Sequence, residues 1–182
     1  MTIKAHKKLK ETLVSIKSPD TGYKKSVLLK TYQLPNGLVE TFFIDDDKDS
    51  VQVFALTEDE HVLLVKQFRA GPEEVELELP GGGMEKGEDA LEAGIRELLE
   101  ETGYKGNKAS YLGSMPYSPY STGRRHGVVI LGCQKQGSVD LDPNEFLEPV
   151  LIPLELFRDK MKLGIVRGFD LAYRALDTLG KL

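Results

Sequence analysis

Residues 82–104 read GGMEKGEDALEAGIRELLEETGY, and residues 75–79 just ahead of them read VELEL. Apolar side chains alternate at Val75, Leu77 and Leu79, which predicts a strand. That strand ends in a tight loop at Pro80-Gly81-Gly82-Gly83. From Glu88 to Thr102 the period changes to that of a helix, with Leu91, Ile95, Leu98 and Leu99 in one arc expected to face the core. Gly103 follows the last turn and is expected to close it in a left-handed conformation. Strand, glycine loop and helix are therefore the unit around which the rest is arranged.

The polar side of this helix is strongly acidic. Glu97 and Glu101 are four residues apart and stack one turn above the other, with Glu100 beside them. Ala90, Ala93 and Gly94 are small, so a partner is expected to approach the helix closely there. Like charges at this spacing cost about 0.2–0.5 kcal/mol per pair on an isolated helix. A solvated face would interleave lysines, but the one base inside the cluster is Arg96. A divalent cation relieves the repulsion, and an oxygen-only ligand set favours Mg²⁺ or Mn²⁺ over zinc.

The spacing is specific. Gly82 is followed by five residues and Glu88, then seven residues and Arg96-Glu97-Leu98, then Glu100-Glu101, Gly103 and Tyr104. This resembles the signature of the Nudix hydrolases, which cut a nucleoside diphosphate linked to a further group; only Tyr104 replaces the more usual aliphatic residue. The resemblance implies an α+β fold, an α/β/α sandwich around a mixed sheet. It also implies a metal shell of the Gly81 carbonyl with Glu97, Glu100 and Glu101, holding Mg²⁺ for which Mn²⁺ can substitute. Glu88 is implied to be an organising residue. Arg96 is implied to orient a neighbouring glutamate, which places it with Glu100 among the catalytic candidates.

Composition fits that reading. The chain has 182 residues, 40% of them apolar, enough for one good domain and a small appendage. No apolar run reaches the roughly 18 residues of a membrane span, and the start lacks the apolar segment of a secretory signal. The lone Cys133 excludes an intrachain disulfide and is expected in the core. Together these features point to the cytoplasm. A net charge of −5 disfavours nucleic-acid binding, and a phosphate substrate must then rely on metal ions and a few local bases. The basic stretch 4–10 is expected to be a solvated helix rather than a tail.

Two regions are expected, residues 1–48 as a β-rich N-terminal subdomain and 49–182 as the hydrolase domain. The first ends in a hairpin, strands at 25–33 and 38–44 joined by Leu34-Pro35-Asn36-Gly37, with the run Asp45-Asp46-Asp47 as the boundary. Further strands are predicted at 50–56, 62–68, 110–114, 127–134 and 147–152, and helices at 154–162 and 168–179.

The resemblance extends beyond the acidic helix. Residues 62–69, VLLVKQFR, and 76–82, ELELPGG, are similar to the ADP-ribose and nucleoside diphosphate sugar pyrophosphatases. In that group the arginine after the glutamine-aromatic pair contacts the diphosphate, which makes Arg69 a substrate-binding candidate; a guanidinium fork suits two phosphoryl oxygens. Pro119, sixteen residues after Gly103, marks the ADP-ribose subgroup, whereas the adjacent Tyr120 resembles the dinucleoside polyphosphate subgroup. Arg124 and Arg125 are candidate cations for the substrate's phosphates, or else an exposed turn. Residues 142–148, DPNEFLE, resemble the family's mobile catalytic loop, with Glu145 as general base and Asp140, Asp142 and Glu148 as stand-ins. N-terminal segments of the subgroup often exchange between two subunits and help bind the base. A homodimer is therefore implied, with Tyr32, Phe42 and Phe43 in the hairpin. The rival readings are a Nudix hydrolase of dinucleoside polyphosphates or oxidised nucleotides, and a non-catalytic nucleotide-sugar sensor.

Overall fold

A computed structural model describes residues 5–18, 24–141 and 145–182. Their contacts divide them into two compact units, Met1–Asp49 with Met115–Arg124, and Ser50–Ser114 with Arg125–Leu182.

The first unit is a three-stranded antiparallel sheet of β1 (Lys7–Lys17), β2 (Lys24–Gln33) and β3 (Val39–Asp45), in that order. The Asn-Gly turn forms between β2 and β3, with Gly37 at φ 88° and the Asn36 side chain accepting from the Leu38 N–H. The basic stretch is a correction: Lys7–Lys10 lie in β1, not in a helix, and Lys4 is outside the described residues. Pairing with β2 overrides local preference there, since Leu13 and Val14 lie opposite Leu28 and Val27. The acidic run at 45–47 is a tether. Lys25 Nζ reaches Asp45 at 3.1 Å and Asp47 at 2.8 Å, the Asp45 N–H donates to the Tyr120 carbonyl, and Ser121 Oγ donates to Asp47. Tyr120 also stacks on Phe42. These bonds draw Met115–Arg124 into this unit from far along the chain.

The second unit holds β4 (Ser50–Thr57), β5 (His61–Arg69), β6 (Glu74–Glu78), α1 (Ala90–Thr102), β7 (Tyr104–Lys105), most of β8 (Lys108–Pro116) and β9 (Arg124–Lys135), β10 (Leu147–Pro153), α2 (Leu154–Lys162), β11 (Val166–Arg167) and α3 (Phe169–Thr178). The sheet runs β11-β6-β5-β4-β9-β7, with β10 on β5 and β8 on β9. It is mixed: β4 with β9 and β6 with β11 are parallel, while β4–β5, β5–β6, β5–β10 and β7–β9 are antiparallel. Alternation along β4 builds a core on each face. Val51, Val53 and Ala55 pack with Ala93 and Leu98 of α1, and Phe54 and Leu56 pack with α2 and α3 through Phe157, Leu171 and Leu176. This is the α/β/α sandwich, with the N-terminal β-rich unit beside it in sequence. Cys133 is a buried core residue, and burial pushes its thiol up to about 11. Among the described residues no helix is long and apolar enough to cross a membrane.

Helix α1 begins at a capping box, in which Asp89 accepts from the Leu91 and Glu92 N–H groups and Glu92 accepts from the Asp89 N–H. Gly103 closes it at φ 69°, donating to the Leu99 carbonyl. The inward face differs from the apolar arc. Leu98 is buried, but Ile95 and Leu99 are 38% and 39% exposed, and the buried positions are Ala93, Gly94, Glu97, Leu98, Glu101 and Thr102. The small residues serve the sheet: a Cβ on Gly94 would stand 3.2 Å from Val128 of β9. Close helix–sheet contact turns the glutamates inward.

This orientation is testable by chemical denaturation. Leu98→Ala should cost about 2–5 kcal/mol, whereas Leu99→Ala should cost less than about 1 kcal/mol at its exposed position. Equal losses would contradict the observed orientation.

Candidate active site

The site starts at the loop after β6. Residues Pro80 and Gly82 offer their carbonyls to the Val53 and Val51 N–H groups of β4, at 2.8 and 2.9 Å. Gly81 between them has φ 149°, and a Cβ there would collide with the Val51 carbonyl, so glycine is required. Its N–H donates to Glu101 Oε2 at 2.8 Å. A Cβ on Gly82 would fall 2.6 Å from both carboxylate oxygens of Glu97. Gly82 therefore leaves room for the Glu97 carboxylate, and Gly81 lets the loop lie against β4 while its N–H reaches Glu101.

Arg96 gathers the remaining acids. Its Nε and Nη2 fork onto Glu88 at 2.8 and 3.0 Å, its Nη1 donates to Glu97 at 2.8 Å and Glu100 at 3.0 Å, and Nη2 also reaches the Gly83 carbonyl. The Arg96 bond holds the Glu88 carboxyl below the usual range. One guanidinium thus serves three carboxylates.

That single positive charge does not balance the cluster. Glu85, Arg96, Glu97, Glu100, Glu101, Asp140, Leu141 and Glu145 line a cleft of about 250 Å³. Burial raises Glu97 against the pull of Arg96, with Glu100 and Glu145 adding repulsion. Burial pushes Glu101 up to about 8, opposed by the Gly81 N–H and reinforced by Glu97 and Glu145. Among the described residues no three acidic, histidine or cysteine side chains are gathered tightly enough to cage an ion as they stand. Of the acids lining the cleft, Arg96 holds Glu97 and Glu100. The donor set is nonetheless carboxylate and carbonyl oxygen, which fits a hard divalent cation.

The structure therefore brings together Gly81, Arg96, Glu97, Glu100, Glu101 and Glu145. Of the stand-ins for Glu145, Asp140 lines the same cleft, Glu148 lies exposed on β10, and Asp142 falls outside the described residues. Arg69 is tied down: its Nε and Nη2 fork onto buried Glu78 at 2.5 and 2.7 Å, which raises its pKa. Pro119 and Arg124 belong to the first unit, where the Arg124 N–H donates to Asp49. Arg125 is not drawn to the glutamates. It pairs in register with Ser50, two residues from Gly127, whose Cα faces Leu171 of α3, and its guanidinium reaches Asp170 at 3.5 Å. It stands on the opposite face of the sheet from α1.

Sequence reasoning missed Glu78 and Arg167. Arg167 Nη1 donates to Glu76 at 2.5 Å, and its Nε stands 4.0 Å from Glu78. Glu76 and Glu78 read as the wet side of an alternating strand. Only strand register shows that arginines from two other strands meet them.

Residues 47–169 match the model of the NUDIX domain. The chain belongs to the Nudix family. It is thus a hydrolase of nucleotide-derived diphosphates. It is 32% identical over 162 residues to the ADP-ribose pyrophosphatase of Bacillus subtilis (strain 168), covering 86% of this chain and 84% of the relative. It is 34% identical over 125 residues to the methanol dehydrogenase activator of Bacillus methanolicus, covering 68% of each. In fold it matches a crystal structure of an ADP compounds hydrolase with a TM-score of 0.78, at 21% identity over the whole of both chains.

The raised Glu101 pKa has a sign that can be measured. An acid whose folded pKa lies above its ordinary 4.5 supports folding fully below that pH, and the support is lost as pH climbs through about 8. Glutamine keeps an oxygen for the Gly81 N–H but carries no charge. In a chelator, Glu101→Gln should melt above the wild-type protein near about pH 9 and converge with it in acid. Identical melting across that range would mean that the carboxylate is not desolvated.

Proposed function

We propose that the cleft hydrolyses the diphosphate bridge of nucleoside diphosphate sugars of the ADP-ribose or GDP-mannose type. The products are a nucleoside monophosphate and a sugar phosphate; from ADP-ribose, AMP and ribose 5-phosphate. The observation that carries this reading is the convergence of Glu97, Glu100, Glu101 and Glu145 on one cleft with Arg96 as the lone base among its lining residues. The similarity to an ADP-ribose pyrophosphatase, over 86% of this chain, supports the substrate class.

Glu97, Glu100, Glu101 and the Gly81 carbonyl are the groups that would hold Mg²⁺, or Mn²⁺ in its place. Such ions, when bound, neutralise phosphoryl oxygens and lower the pKa of water. The chain's own residues supply the rest. Arg96 keeps Glu97 and Glu100 turned toward the cleft. Glu145, on the segment entering β10, takes the proton from the water that attacks phosphorus as the bridging P–O bond breaks. Arg69, pinned by Glu78, presents its remaining N–H groups to the diphosphate.

We further infer a cytoplasmic homodimer in which the N-terminal unit pairs with a second copy and contributes to base binding. β1 is exposed along its whole length, and Ile16 and Phe43 are each 70% exposed. Light scattering should report twice the chain mass.

Three measurements test the reaction. Glu101→Gln should lose turnover by about a hundredfold or more in saturating Mg²⁺ while retaining its fold, and near-normal activity would overturn the assignment. Glu145→Gln should lower kcat by about 10²–10⁴. A phosphate-release panel over ADP-ribose, GDP-mannose, other nucleotide sugars, diadenosine polyphosphates and 8-oxo-dGTP should show the sugars turned over fastest. Preference for either of the last two would move the chain to a different substrate class.

A further inference from the structure

A second arginine stands beside Arg69, and nothing in the acidic helix or its spacing points to it. In the antiparallel pair β5–β6, Val65, Gln67 and Arg69 lie opposite Glu78, Glu76 and Glu74. In the parallel pair β6–β11, Arg167 lies opposite Glu78. Partners across a ladder share a face. Leu77, Leu79 and Val166 point into the core under α2 and α3, so Glu76, Glu78 and Arg167 point to the other side. That side carries Leu63, which packs with α1. Arg69 and Arg167 therefore stand on the face of the glutamate cleft, and Arg69 lies close enough to feel Glu101.

The two guanidiniums converge. Arg69 Nη2 is 2.7 Å and Arg167 Nε 4.0 Å from the same oxygen, Glu78 Oε2, one from each flanking strand. Arg69 alone satisfies both oxygens of that buried carboxylate, so Arg167 is not needed to offset its burial. At 50% exposure, the bond from Arg167 to Glu76 adds little stability. Yet the position is built. Val166 is buried on the core side, the Leu79 N–H donates to the Arg167 carbonyl, and Gly168 turns the chain at φ 85°, where a Cβ would strike Gln52. The Arg167 side chain remains half exposed.

An acidic cleft in a chain of net charge −5 repels a diphosphate unless cations face it from the side away from the metal ligands. We propose that Arg167 is a second substrate-binding arginine, which grips the diphosphate of the nucleotide sugar together with Arg69, both set by Glu76 and Glu78. This rests on the hydrolase reading above and deepens it.

The test compares Arg167→Ala, Arg167→Lys and the wild-type protein, with ADP-ribose as the probe. In Mg²⁺, Arg167→Ala should raise KM by about tenfold or more, as expected for a lost charged hydrogen bond, with kcat and melting temperature nearly unchanged. That pattern marks binding shared by ground and transition states. Arg167→Lys should recover part of the loss, since it keeps the charge without the fork. Calorimetric titration with ADP-ribose in a chelator reads the same contact without turnover and should weaken by a similar factor. A KM within about twofold of wild type, or a fall in kcat that tracks a lower melting temperature, would overturn the role of Arg167. If the wild type binds ADP-ribose but hydrolyses no diphosphate in Mg²⁺, the hydrolase reading fails, and the titration alone decides Arg167. A wild type that neither binds nor cleaves ADP-ribose sinks this proposal, while cleavage of another nucleotide sugar leaves the hydrolase reading standing.

Discussion

Two carboxylates packed on glycine backbone set the terms for this protein. Glu97 and Glu101 are largely buried because α1 lies close on the sheet; Gly82 leaves the room that Glu97 fills, and Gly81, held against β4, donates its N–H to Glu101. The Gly81 N–H and Arg96 compensate part of the desolvation, and the remainder appears as carboxyl groups that resist ionisation. A folded chain would discard such an arrangement if burial were its only use. The proposed function rests on that uncompensated charge.

The neighbouring elements read as supports for that arrangement. The loop at 80–82 is stitched to β4, so it cannot retreat from the helix. The Asp89 box and the Gly103 cap fix where α1 starts and stops, and hence the height of each glutamate above the loop. Arg96 ties Glu88, Glu97, Glu100 and the Gly83 carbonyl into one piece. On the far side of the loop, Glu78 orders arginines from β5 and β11. Negative and positive groups are thereby separated across a few residues of backbone, the division of charge on which the proposed diphosphate hydrolysis rests.

The helix shows how local and tertiary information diverge. Its extent, its cap and the clustering of its acids follow from residues 88–103 alone. Which way it faces does not. Leu91, Ile95, Leu98 and Leu99 form the more apolar arc, yet the sheet takes Ala93, Gly94 and Leu98, because close approach over Val128 gains more contact than burying Ile95 and Leu99. A periodicity argument weighs side chains by hydrophobicity and has no means of counting how near a backbone can come.

By itself the sequence determined the family and the acids of α1, because these depend on spacing along one short segment, and its periodicity marked the longer strands and helices but not β1, β7 or β11. The tertiary structure alone decided that Arg125 turns to Asp170, that residues 115–124 join the N-terminal unit, that the basic stretch is a strand, and that Arg167 meets Glu78. Each of these is a pairing between residues distant in the chain. Strand register and hydrogen bonding select such pairs, and neither leaves a local signal.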